Sequence, residues 1–141
     1  MPRNNKTFIK VFKGANISDM RDYVKPSLKH SPSLIALHIG TNSLRSKNDA
    51  KYIAGEIIDL ALDIKTDDNE VLISGIVPRK DNLNEKGIEV NKILKIKCIE
   101  YGLGFCGNAN MNFGHLNQSG LHLNGRGSWQ LASNLVDHIN L

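Results

Sequence analysis

The sequence contains no apolar run approaching the roughly 18–20 residues that a membrane span requires. Its N-terminus has no basic start, apolar middle and small-residue cleavage site, so no secretory leader is expected. Cysteine is scarce. Cys98 and Cys106 have no second pair to complete a zinc site or a disulfide framework, and their apolar surroundings predict buried free thiols. Thiols suit a reducing compartment, so a cytoplasmic location is expected. Metal ligands are as sparse: His115 and His122 have no Asp, Glu or Cys nearby, and neither a metal nor a cofactor is expected. An excess of charge of one sign is also small. Arg3, Lys6, Lys10 and Lys13 account for the whole net charge of +4, and the basic and acidic residues after them balance. That pattern reads as a solvated tail and strand edge and argues against a nucleic-acid partner.

What remains suffices for one domain. At 141 residues and 40% hydrophobic, the chain falls among single domains of about 100–150 residues, and the expected unit is 1–141. No repeat or low-complexity segment interrupts it. Four short β-rich runs predict strands: TFIKVF (7–12), LIALHI (34–39), VLISGI (71–76) and LGFC (103–106). Between the second and third, Ile53, Ile57, Leu60, Ala61 and Ile64 recur along one stripe of a helix. Further helical patterns cover about 84–101 and 126–140, and a short one starts at Ser18, read as its N-cap, and runs towards Pro26. Alternation of apolar strands with helices predicts an α/β fold with a parallel sheet of right-handed βαβ units. Ligands in such sheets sit beyond the carboxyl ends of the strands.

The loops at those ends are KGANISD, GTNSLRS, VPRKD and the long connection into SGLHLNGRG. Taken singly, Gly14 reads as a left-handed turn residue and Asn42 as a turn or cap former. His122 stands open between a catalytic base, a metal ligand and a packed histidine. Taken together, they point further. LHIGTNSL resembles the Gly-x-Asn-Asp block of the SGNH (GDSL-type) ester hydrolases. SGLHLNGRGSWQLA resembles their terminal Asp-x-x-His block with its following glycine and last helix, and VFKGANISDM is similar to the block supplying their oxyanion glycine. The blocks stand in the family's order and span nearly the whole chain. The resemblance implies a three-layer, doubly wound, flavodoxin-like sheet, mostly parallel, of about four strands. It also implies an oxyanion hole from the Gly14 N–H and the Asn42 amide, with His122 as general base and a small ester or acyl compound as substrate.

The departures from the family pattern matter as much. Its nucleophile lies in a Gly-Asp-Ser block ending its first strand, and only MPRNN precedes KTFIKVF, so that strand is expected to be missing. Ser119 occupies the position of the triad carboxylate, and Ser43 replaces the aspartate of Gly-x-Asn-Asp. Ser119 can hydrogen-bond an imidazole but cannot stabilise an imidazolium as a carboxylate does. Ser18 and Ser43, the other hydroxyls near Gly14 and Asn42, have ordinary roles as cap and turn residue. Loss of a hydrolytic nucleophile costs on the order of 10⁶ in kcat, so the isolated chain is expected to be inert. Two readings follow: an impaired SGNH-type esterase or acylhydrolase domain, or a non-catalytic binding or assembly module. The chain also resembles esterase-like domains of retrotransposon-type elements, which fits a mobile-element origin. Three structural expectations accompany them. Residues 7–12 close the sheet beside 34–39; the sheet face shared with 126–140 is half bare, inviting self-association; and His122 is partly exposed near Asn42 and Gly14.

Overall fold

The computed structural model describes residues 10, 12 and 14–139. Helix α1 (Ile17–Tyr23) begins where Asn16 adopts an extended conformation. The Asn16 side chain accepts the Asp19 N–H at 2.8 Å, and the Asp19 carboxylate accepts the Asn16 N–H at 3.0 Å. Asn16 is therefore the cap and Ser18 lies inside the helix, because only the Asn16–Asp19 spacing satisfies both end donors reciprocally. Pro26 does not terminate this helix. It sits in the first turn of a second short helix, α2 (Lys25–Leu28), where its missing N–H has no partner to lose.

Strands β1 (Leu34–Leu37), β2 (Glu70–Ser74) and β3 (Gly104–Cys106) form a parallel sheet in the order β1-β2-β3. The α/β class with a parallel sheet is as the sequence predicts. The expected strand 7–12 lies outside the described residues. Two strands stop earlier than the apolar runs suggest, for local reasons. After β1, Gly40 takes φ 119°, a left-handed geometry that ends extended pairing. After β2, the Asn91 side chain takes both main-chain groups of Ile76, accepting its N–H at 2.8 Å and donating to its carbonyl at 2.9 Å. A side-chain amide thus replaces a neighbouring strand.

Helix α3 (Ala50–Ile64) is capped by Asp49, whose carboxylate accepts the Tyr52 N–H at 2.8 Å. It buries Ile53, Ala54, Ile57, Ile58, Leu60, Ala61 and Ile64. Helix α4 (Asn84–Tyr101) closes at Gly102, in the left-handed conformation, and turns Val90, Leu94 and Cys98 inward. These side chains meet Leu37, Val71, Ile73 and Leu103 from one sheet face, with Ile17 and Val24 from the α1 end, in one core. Burying each such aliphatic side chain is worth about 1.5–3 kcal/mol. No described helix is long and apolar enough to cross a membrane.

The other face is unequal. Helix α5 (Gly125–Ile139) lies over β3, where the Cys106 thiol donates to the Asn134 carbonyl at 3.4 Å. Of its residues only Gly127 is buried, and Trp129 and Val136 are 68% and 53% exposed. Among the described residues, α5 covers β3 and, towards β1, leaves Ala36 and His38 on this face exposed.

Gly127 explains how α5 is seated. A Cβ there would overlap the His115 carbonyl oxygen, so helix and loop touch backbone to backbone, whereas a Cβ on Gly125 would meet nothing. Overpacking a tight contact typically costs about 1–3 kcal/mol. Gly127→Ala is therefore expected to lower stability by about 3 kcal/mol in urea unfolding, and Gly125→Ala to change it by less than about 0.5 kcal/mol. Equal effects of the two substitutions would refute the seating.

Candidate functional site

The loops at the carboxyl ends of the strands are tied together by polar contacts. After β1 a single 3₁₀ turn, Thr41–Ser43, follows Gly40. A Cβ on Gly40 would press on the side chains of Ile76 and Ile57 at 3.0 and 3.1 Å, so glycine serves both conformation and space there. The Asn42 amide donates to the Ala15 carbonyl at 3.1 Å, and the buried Ser43 hydroxyl accepts the Ile17 N–H at 3.3 Å. Gly14, at φ 73° and exposed, precedes Ala15, whose carbonyl is the Asn42 partner. Ser43 acts as a structural acceptor for the start of α1.

Arg79, 4% exposed, holds this turn from behind. Its guanidinium donates to the Thr41 carbonyl at 2.8 Å and hydroxyl at 3.2 Å. The rest of the fork grips Asp81, with Nη2 2.6 Å from one carboxylate oxygen. That hydrogen bond from Arg79 holds the Asp81 carboxyl below its ordinary pKa. The next residue, Lys80, donates its N–H to the Gly120 carbonyl at 2.7 Å. The segment after β2 thus anchors both the Asn42 turn and the loop that carries His122.

That loop is a narrow excursion closed by an antiparallel bridge between Leu116 and Leu123. The His122 carbonyl accepts the Asn117 N–H at 2.7 Å, and the His122 N–H donates to the Ser119 hydroxyl at 3.3 Å. Ser119 also accepts from Leu121 N–H and donates to the Asn117 side chain, so its oxygen serves its own loop and not the imidazole. His122 is exposed, and its ring makes no hydrogen bond among the described residues. His115 is the packed histidine: buried, its Nδ1 accepts the Asn112 N–H at 3.0 Å. Among the described residues no three His, Cys, Asp or Glu side chains group as a metal site would need.

A second histidine escaped the sequence reading. His38 follows β1, with Nδ1 2.9 Å from the hydroxyl of Ser74, the last residue of β2. Asn108, beyond β3, donates to that hydroxyl at 3.2 Å and to the Gly75 carbonyl at 2.7 Å. One polar residue follows or ends each successive strand. That repetition in LHIG, LISG and CGNA is the signal that points to the group. His38 is exposed as a residue, yet the protein around its imidazole desolvates it and lowers its pKa from 6.5.

Burial has the opposite effect on a thiol, and Cys98 is raised from 9.0 to about 11. Native His38 takes up its proton less readily than the unfolded chain does, so its share of stability is present above about pH 6.5 and is lost on acidification. Native Cys98 keeps its proton more firmly, so its share is present below pH 9.0 and is lost as pH rises towards about 11. The urea midpoint is expected to be highest between these limits and to fall on both sides, and His38→Gln should flatten the acid side. An acid limb unchanged by that substitution would disprove the assignment.

No family model matches the chain, and no curated protein matches it. Solved structures do. A GDSL-like lipase from Bacteroides thetaiotaomicron superposes with a TM-score of 0.78 at 16% identity, over 90% of this chain and 72% of that one. A putative acylhydrolase from Bacteroides fragilis matches with 0.75 at 17% identity, over 90% and 71%. The carbohydrate acetylesterase Est24 from Sinorhizobium meliloti matches with 0.75 at 19% identity, over 85% and 66%. At such low identities the likeness establishes architecture, and the architecture of this chain is that of the SGNH, or GDSL-type, hydrolases.

Proposed function

We propose that the chain is an SGNH-type ester-hydrolase-like domain that retains the oxyanion and base positions of that fold and does not hydrolyse esters by itself. The observation that carries this reading is the isolation of the His122 imidazole: among the described residues it makes no hydrogen bond or ion pair with a hydroxyl, thiol or carboxylate. A general base needs the nucleophile within about 2.6–3.2 Å, and its charged form needs a carboxylate partner. Gly14 and Asn42 would supply the oxyanion donors. One Asn42 N–H is engaged by Ala15, which leaves the second for a ligand. The similar structures include lipases, acylhydrolases and acetylesterases, which supports a small ester or acyl compound as the ligand class. Incubating the purified chain with p-nitrophenyl acetate is expected to give no release above buffer, and none that His122→Ala alters. Turnover abolished by His122→Ala would overturn the reading and mean that a serine had taken over the attack.

The second reading is a non-catalytic binding or assembly module, and the exposed flank of α5 favours it. Trp129, Val136 and Ile139 are exposed on a helix with little of its surface buried. Uncovered apolar surface of this kind promotes association. The chain is expected to self-associate at high concentration in light scattering, and Trp129→Glu with Val136→Lys to shift it towards monomer. A parent chain that stays monomeric at every concentration would count against the module reading.

A further inference from the structure

The polar group at the carboxyl end of the sheet has a direction. Gly75 offers a main-chain carbonyl, which can only accept, and it lies 2.7 Å from the Asn108 side-chain nitrogen. The orientation of that amide is therefore settled by the backbone. Its other face agrees, since Asn108 Oδ1 accepts from Asn134 Nδ2 at 3.0 Å, and Asn134 Oδ1 in turn accepts from Gln130 at 3.0 Å. The second N–H of Asn108 reaches the Ser74 oxygen at 3.2 Å. Ser74 is 1% exposed, so its single proton needs a protein acceptor, and the remaining partner is His38 Nδ1 at 2.9 Å. Nδ1 accepts. The neutral ring of His38 must then carry its hydrogen on Nε2.

The position of that N–H gives it a use. Glu70 N–H donates to the Ser33 carbonyl at 2.8 Å, so residues 33, 35 and 37 turn their main-chain groups to β2, while those of 34, 36 and 38 turn to the opposite edge. His38 stands at the carboxyl end of that edge, exposed to solvent, where ligands bind in open parallel sheets. A neutral imidazole with Nδ1 occupied by a donor cannot bind a cation through Nε2, but it can donate there. Such a pre-oriented, uncharged donor suits a carbonyl oxygen, whose partial charge it polarises without proton transfer.

We propose that His38 is a carbonyl-binding donor: its Nε2–H hydrogen-bonds the acyl oxygen of a small neutral ester, with Ser74 and Asn108 as positioning residues that hold the tautomer. No bond is made or broken. The ligand class rests on the ester-hydrolase-like reading given above, whereas the tautomer rests on the hydrogen-bond geometry alone.

Long-range ¹⁵N–¹H correlation spectra of the whole chain with ¹⁵N-labelled histidine, assigned with His38→Ala, test both parts. At pH 7.5 His38 is expected as the Nε2–H tautomer, and triacetin is expected to shift its Nε2 resonance saturably. In Ser74→Ala the tautomers should mix and the triacetin response weaken at least threefold. Should Ser74→Ala fail to fold, the wild-type spectrum still decides. An Nδ1–H or doubly protonated His38 at pH 7.5 would overturn the proposal, and so would the absence of any saturable shift up to the solubility of triacetin. These failures are distinct from failure of the ester-hydrolase-like reading, because p-nitrophenyl acetate turnover through His122 would refute inertness and leave the His38 tautomer as it is.

Discussion

The carboxyl end of the sheet is organised around one buried cation. Arg79 must keep its charge, and a buried guanidinium without partners would destabilise the fold severely. Asp81 and the Thr41 carbonyl and hydroxyl meet that requirement together. Because those partners lie on different loops, satisfying the charge also fixes the loops relative to each other. The Asn42 turn is held against the segment after β2, and Lys80, one residue on, holds Gly120 and with it the His122 loop. The planar fork of arginine, with five fixed donors, makes this triple attachment possible where the single flexible ammonium of lysine would not.

The two sheet faces are held by different physics. Towards α3 and α4 the contact is aliphatic, with Ile57, Ile73 and Leu94 fully enclosed. Towards α5 the contact is chiefly polar and close-approach: Gly127 against the His115 backbone, Asn134 against Asn108 and Asn110, and Cys106 against the Asn134 carbonyl. Hydrogen bonds are directional and hold α5 in register over β3 without requiring its apolar residues to be enclosed. Its outer flank is left free, as is the edge of β1 among the described residues.

Much of this was legible from residue order. Helices α3, α4 and α5 follow from apolar spacing because burial on one side of a helix repeats at every turn. The parallel sheet follows from strands that are apolar on both faces. Gly14, Asn42 and His122 were visible as sequence blocks; Asn42 meets Ala15 directly, and the Asn42 turn and the His122 loop are both tied to the segment after β2. Other features were out of reach. Asn16 outcompeted Ser18 as the cap because capping depends on backbone geometry and on Asp19 reaching back, not on side-chain type alone. Beyond the end of β2, Ile76 is met by Asn91, fifteen residues further on, whose amide takes the place of a strand partner.

What the sequence by itself determined is the succession of elements, the aliphatic core and the chemical character of the loops beyond the strands. These depend on local periodicity and residue type. Only the tertiary structure decided which polar groups would meet. Ser119 turned to its own loop instead of the His122 ring, His115 became a packed cap, and His38, Ser74 and Asn108, distant along the chain, joined in one directed hydrogen-bond chain. The reason is physical: a hydrogen bond depends on position and angle to within a few tenths of an ångström and tens of degrees, and those are properties of packed elements, not of their order.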